Sequence, residues 1–151
     1  LDMIGGQIAS GSLEPGQVLT PHPGEMARLT GLAVEDIQVN RIEIARQYSQ
    51  EWGQTIVLKG PLTVVAEPGG HVTVIPIASS ALAKAGSGDV LAGMIGGYLA
   101  LGLSPEHASI LASWVHAKAG ILAANHLGVE DSVRPHDLVQ AIPKVLQQLR
   151  K

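Results

Sequence analysis

Two short apolar runs, Gln17 to Thr20 and Thr55 to Lys59, each end directly on a turn: Pro21-His22-Pro23-Gly24 closes the first and Gly60-Pro61 the second. Runs of this length that stop on Pro and Gly read as buried strands. Between them the pattern is helical. Glu25 to Leu29 reads as a short helix closed by Gly31. Val34-Glu35-Asp36 opens a longer one, with acids in the first turn where the macrodipole favours them. Ile37, Ile42, Ile44, Ala45 and Tyr48 give that helix one apolar side, and it ends near Gly53. Leu62 to Ala66 and His71 to Ile75 form a strand pair around the turn Glu67-Pro68-Gly69-Gly70. Three helices follow: from Gly86-Ser87-Gly88-Asp89 to about Leu101, from Ser104-Pro105-Glu106 to about His126, and from Pro135 to Leu149, with Pro143 inside the last. This order commits the chain to an α/β fold, with strands few for the helices that need covering.

The core this fold needs is available: 46% of the 151 residues are hydrophobic and 15% charged, too apolar for a disordered chain. With 18 Gly and no Phe, that core is built from small and aliphatic side chains that suit close helix–sheet packing. A formal net charge of -3 gives no electrostatic case for nucleic acid or an anionic membrane. The absence of Cys excludes disulfides, thiolate metal sites and thiol nucleophiles, and fits a reducing cytoplasm. LDMIGGQIAS has no basic segment and cleavage site, so no signal peptide is expected. Ile110 to Leu127 is interrupted by Ser113, His116, Lys118, Asn125 and His126, and reads as a buried helix, not a membrane span.

Three segments carry chemistry. In Ala85-Gly86-Ser87-Gly88-Asp89, two glycines let backbone N–H groups turn toward one point, and the helix behind adds its positive end. Gly86, Ser87 and Gly88 thus make an anion hole for a phosphoryl group. Asp89 stands beside it, where a carboxylate can take a proton from an attacking hydroxyl. The plainer reading is a Gly-rich helix start with an acid favoured by the dipole. In Thr20-Pro21-His22-Pro23-Gly24-Glu25, a strand end delivers a rigid loop to the edge where open α/β sheets bind ligands. His22 can hydrogen-bond a substrate there, and Glu25 can hold magnesium through oxygen. The plainer reading is a surface His and a helix-capping Glu. In Lys59-Gly60-Pro61-Leu62-Thr63, Lys59 can pair with phosphate and Gly60 lets a nucleotide approach the backbone. Here the alternative is an ordinary hairpin entry. His116, on an apolar helix, reads as a buried packing histidine. His71, His107, His126 and His136 share no metal-ligand spacing. Trp52 and Trp114 read as packing.

Taken together, TPHPGEMARL, VLKGPLTVV and AGSGDVLAG resemble successive signatures of the ADP- or ATP-dependent NAD(P)H-hydrate dehydratases, of the ribokinase-like superfamily. Gly96-Gly97, WVHAKAG and RPHDLVQAIPKVL extend the resemblance from about Val18 to Leu149. It implies a three-layer sandwich with a central, mostly parallel sheet flanked by helices. This chain would be the C-terminal part of one such domain, without its N-terminal half, and Leu1-Asp2 would match the strand end and loop before the His-Pro-Gly-Glu segment. The family removes water from hydrated NADH and NADPH, by phosphorylating the C6 hydroxyl and expelling it as phosphate. The resemblance assigns Lys59, Gly60, Pro61, Leu62, Thr63 and Gly88 to the adenine nucleotide. It assigns His22 and Asp89 to the hydrated dinucleotide, Asp89 to the role of general base, and Glu25 to magnesium or to phosphate positioning. It also implies a tetramer, with an epimerase domain often fused upstream. This chain departs from the family in having Ser79-Ser80 where Asn and Gly often precede the Gly-Ser-Gly-Asp loop. Two rival readings stay open: a vitamin-precursor or sugar kinase of the same superfamily, and a nucleotide-binding module without catalysis. Sugar kinases of this fold generally carry Asn where His22 stands, which favours the dehydratase.

Overall fold

The computed structural model describes residues 6–8, 13–14 and 16–149; Leu1-Asp2 lies outside them. The chain divides into two compact units, residues 1–74 and 75–151.

In the first unit, β1 (Val18–Leu19) leads to α1 (Pro23–Thr30), α2 (Val34–Val39) and α3 (Arg41–Trp52), then to β2 (Thr55–Leu58), β3 (Thr63–Ala66) and β4 (Val72–Ile75). The four strands lie in the order β1-β2-β3-β4. β1 and β2 are parallel, with Val18 opposite Thr55, because three helices intervene and allow a crossover. β2 and β3 are antiparallel, with Val57 opposite Val65. The sheet is therefore more mixed than a mostly parallel one: the connection from Leu58 to Thr63 is too short for a crossover and reverses the chain. Met26, Ile37, Ile56 and Leu58 are fully buried, and α1, α2 and α3 cover the sheet through them.

The expected single helix from Val34 to Gly53 is two. Asn40 leaves helical geometry at φ -113°, ψ 33°, and it both ends α2 and begins α3. Asn is a poor helix-interior residue, because its side chain competes for nearby backbone groups. Ile42 is 41% exposed and does not share the buried face of Ile37, Ile44 and Ala45. Gly31 and Gly53 end their helices at positive φ, as glycine allows. Two buried polar side chains tie the layers. The Ser49 hydroxyl lies 2.6 Å from the Gln54 carbonyl and 3.1 Å from that of Ala66. The Gln54 amide accepts from Gln17 N–H and donates to the Glu14 carbonyl, anchoring the segment before β1. Tyr48 and Trp52 pack as a tilted pair, ring centroids 4.9 Å apart at 46°, the packing role expected of Trp52.

In the second unit, a 3-10 turn (Ser80–Leu82) precedes α4 (Ser87–Ala100), followed by α5 (Pro105–Leu127), a 3-10 turn (Glu130–Ser132) and α6 (Pro135–Gln148). Ser104 caps α5 by accepting from His107 N–H, with Pro105 in the first turn. The core joins Val115 and Ala119 of α5 to Leu138, Ala141 and Val145 of α6, with Ala81 and Val133 from the turns. Gly120 lets α5 meet the first 3-10 turn: a Cβ there would lie 2.8 Å from Leu82 Cδ2. His116 is buried at 6% exposure, and Trp114 packs against the core. No helix among the described residues is long and apolar enough to cross a membrane.

Candidate active site

The parallel pairing of β1 and β2 brings their C-terminal ends to one edge of the sheet, and two of the three sequence motifs meet there. Lys59 N–H donates to the Pro21 carbonyl at 2.8 Å, just past both strands. From this junction α1 begins. His22 is its N-cap, and the cap is reciprocal: Nδ1 accepts from Glu25 N–H at 3.2 Å, and Glu25 Oε2 accepts from His22 N–H at 2.7 Å. The half-exposed ring also turns Nε2 toward the same residue, 3.6 Å from Glu25 Oε1. A Cβ on Gly24 would come within 3.1 Å of this ring, so the loop is shaped to seat it.

Glu25 also meets Lys59, with Nζ 3.5 Å from Oε2. Burial pushes the Glu25 carboxyl up, but the His22 N–H and the charges of Lys59 and His22 outweigh it and hold the group below its ordinary value. Glu25 is therefore both the helix cap read as the plainer alternative and the centre of a charged cluster. The cation beside it here is the Lys59 ammonium. A depressed carboxyl stabilises the fold above the ordinary glutamate value of 4.5, and that contribution is lost as pH falls through the lower folded value. Glu25→Ala is expected to cost about 0.5–2 kcal/mol at neutral pH, the usual worth of a cap. The difference from wild type should shrink below pH 4.5 in urea titrations. A gap that does not depend on pH would leave the cap without a charged component.

Gly60, Pro61 and Leu62 form an exposed turn between β2 and β3. What approaches the backbone at Gly60 is a side chain that sequence reasoning missed. The Arg41 guanidinium lies too close for a Cβ on Gly60, whose position would be 2.6–2.8 Å from it. A signal was present in the sequence: a cation at the first position of a helix opposes the macrodipole.

In the second unit, Gly86 caps α4 at φ 88°, and Ser87, Gly88 and Asp89 fill its first turn. Asp89 is exposed. Within the segment from Gly86 to Gly88, Ser87 is engaged by the loop itself. Ser87 N–H donates to the Lys84 carbonyl at 3.1 Å, and its buried hydroxyl to the Leu82 carbonyl at 2.6 Å. Ser87 thus braces the loop from below, and the helix has no acceptors for the amides of Gly88 and Asp89 in its first turn. The preceding Ser79-Ser80 is fixed as well: the Ser79 hydroxyl accepts from Ala81 N–H, and Ser80 N–H and hydroxyl both donate to Glu130. A separate cleft of about 480 Å³ between α5 and α6, lined by His126, Asp137 and Lys144 among others, contains none of the residues singled out for chemistry.

The fold is ribokinase-like: a ribokinase-like superfamily protein of Enterococcus faecalis superposes with a TM-score of 0.76 at 28% identity, over 97% of this chain and 50% of that one. The sequence profile of the NAD(P)H-hydrate dehydratase family matches residues 6–144, and the chain belongs to that family. It is 45% identical over 134 residues to the bifunctional NAD(P)H-hydrate repair enzyme Nnr of Moorella thermoacetica, covering 89% of this chain and 25% of that protein. It is 38% identical over 128 residues to the ADP-dependent (S)-NAD(P)H-hydrate dehydratase of Bacillus subtilis, covering 85% and 46%. The Bacillus subtilis ADP/ATP-dependent NAD(P)H-hydrate dehydratase co-crystallized with ATP/Mg2+ superposes with a TM-score of 0.82 at 37% identity, over 87% of this chain and 47% of that one. The chain thus spans about half the length of the Bacillus enzyme and about a quarter of the bifunctional one.

Proposed function

We propose that this chain is the C-terminal part of a dehydratase domain that restores hydrated NADH and NADPH, using ADP or ATP as phosphoryl donor with magnesium. The observation that carries the reading is the meeting of the His-Pro-Gly-Glu loop with Lys59 at the C-terminal edge of parallel strands, where this class of sheet receives ligands. In this reading Asp89 takes the proton of the C6 hydroxyl as its oxygen attacks the terminal phosphorus of the nucleotide. The amides at Gly88 and the first turn of α4 receive the transferred group. The phosphate then leaves C6, the ring nitrogen supplies the electron pair, and loss of a proton from the adjacent carbon restores the double bond. His22, half-exposed at the start of α1, contacts the dinucleotide. Lys59 and the exposed turn from Gly60 to Thr63 hold the adenine nucleotide, with Leu62, 45% exposed, as an apolar surface for the base.

The Glu25 carboxylate is a hard oxygen donor of the kind magnesium takes; with Oε2 accepting from His22 N–H and beside Lys59, Oε1 is the atom that would hold the ion, and magnesium keeps waters and phosphate oxygens as its other ligands. When bound, the ion neutralises phosphate charge. The same reading gives a cytoplasmic enzyme, assembled as a homo-oligomer, a tetramer by family resemblance, with an epimerase domain upstream. In its support, relatives such as the Moorella thermoacetica protein are named bifunctional.

The test is to incubate the protein, with the N-terminal half of the domain included, with hydrated NADH, magnesium and either ADP or ATP. Nucleotide-dependent recovery of the reduced-nicotinamide absorbance is expected, and the more effective nucleotide names the donor. Bound nucleotide without recovery would move the reading to a small-molecule kinase or a non-catalytic module.

A further inference from the structure

Arg41 is placed unlike an ordinary surface arginine. It is the first residue of α3, yet its Nη2 donates to the Leu58 carbonyl at 2.9 Å and to the Leu62 carbonyl at 3.1 Å. Leu58 is the last residue of β2, and Leu62 immediately precedes β3. One nitrogen therefore ties both ends of the Lys59-Gly60-Pro61 connection and sets its width. The guanidinium plane lies against Gly60, where any Cβ would stand 2.6 Å from Nη2 and 2.7 Å from Nη1. Its Nε is buried without a hydrogen-bond partner among the described residues. Burial pushes the group below its ordinary value, and no neighbouring carboxylate offsets this. A half-buried cation with an unmet donor and no carboxylate is costly if its only task is to hold two carbonyls. Lys59 is already matched by Glu25, so the charge of Arg41 is the uncompensated one beneath this turn.

We propose that Arg41 is a positioning residue for the nucleotide. It clamps the Lys59–Thr63 turn in the shape that receives a nucleoside di- or triphosphate, and its charge biases that turn toward the polyphosphate. This rests on the reading of the turn as the nucleotide site. Arg41 acts through the backbone it holds and makes no claim on the reacting atoms. Gly60 belongs to the same device, because only a residue without Cβ lets the guanidinium lie flat there.

The test is calorimetric titration of the whole protein with magnesium-ADP, in wild type, Arg41→Lys, Arg41→Gln and Gly60→Ala. Arg41→Gln is expected to weaken ADP at least tenfold. Arg41→Lys keeps the charge but not the fork, and is expected to recover only part of that loss. Gly60→Ala retains the arginine yet displaces it, and should weaken ADP to a similar extent. In turnover assays the nucleotide KM should rise while kcat stays within about threefold, since no transition-state contact is removed. Wild-type ADP affinity in Gly60→Ala and Arg41→Lys, both folded by circular dichroism, would overturn the role of Arg41 alone. A wild-type protein that binds no adenine nucleotide would overturn the reading of the turn, and this assignment with it. If Arg41→Gln fails to fold, Gly60→Ala carries the decision.

Discussion

Asp89→Asn is expected to lower turnover of the hydrated dinucleotide by about 10²–10⁴-fold, the usual contribution of a positioned general base, with ADP affinity nearly unchanged. The argument starts from the helix. Asp89 lies in the first turn of α4, exposed, next to the amides of Gly88 and its own backbone, which the helix leaves without acceptors. In the proposed reaction, an anion held by those amides would place its phosphorus beside the carboxylate, where the attacking hydroxyl must lose its proton. Asn has nearly the same shape and is equally compatible with a first helical turn, so loop and helix should persist. It cannot accept the proton. Single-turnover recovery of reduced nicotinamide, run beside ADP titration, separates the two effects. Full turnover would remove Asp89 from the role of base. A parallel loss of ADP affinity would make it a nucleotide ligand instead.

The second large effect concerns stability. Gly86→Val should destabilise the protein by about 1–3 kcal/mol from backbone strain alone, since φ 88° is left-handed and a β-branched residue fits it poorly. A further cost comes from packing, because a Cβ at Gly86 would stand 2.9 Å from Pro135 Cγ, and a proline ring at the start of α6 has little freedom to yield. The loop would have to move away from α6 or change its dihedrals. Either change carries the Lys84–Ser87 bond and the first turn of α4 with it. Urea unfolding measures the loss directly. A midpoint equal to wild type would show that neither the dihedral nor the contact constrains the loop.

Local chemistry made much of this molecule readable. Ser104-Pro105, Gly31, Gly53 and Pro135 mark helix ends because caps are decided within a few residues. For the same reason the motifs were expected, and are found, at a strand end, a strand-to-strand turn and a helix start. What escaped depends on residues distant in sequence. The break at Asn40 is invisible to a pattern in which Ile37, Ile44 and Ala45 keep one helical phase across it. The pairing of Glu25 with Lys59 follows from the parallel register of β1 and β2, which no local pattern states. Glu25 could be read as a cap or as a metal ligand, and only that register shows the ammonium beside it. Arg41 was passed over because an arginine near a helix start looks like a solvated charge, until Leu58 and Leu62 are seen on either side of it. The commitment of Ser87 to Lys84 and Leu82 likewise needed the 3-10 turn.

The composition of α5 carries a consequence for how the protein tolerates change. Apart from His116, none of its buried residues is larger than valine: Ala108, Ala112, Ala119, Gly120 and Ala123 are typical. Alanine and glycine give up almost no rotamer freedom on burial, so the helix is ordered at little side-chain entropy, and its neighbours approach the backbone itself. Truncation has almost nothing left to remove, while each added methylene must displace a packed wall such as Leu82. Random libraries of the gene should show its inward positions closed to growth, while the one shrinkage left to its alanines, to glycine, costs about 1 kcal/mol through the helix backbone and not through lost packing.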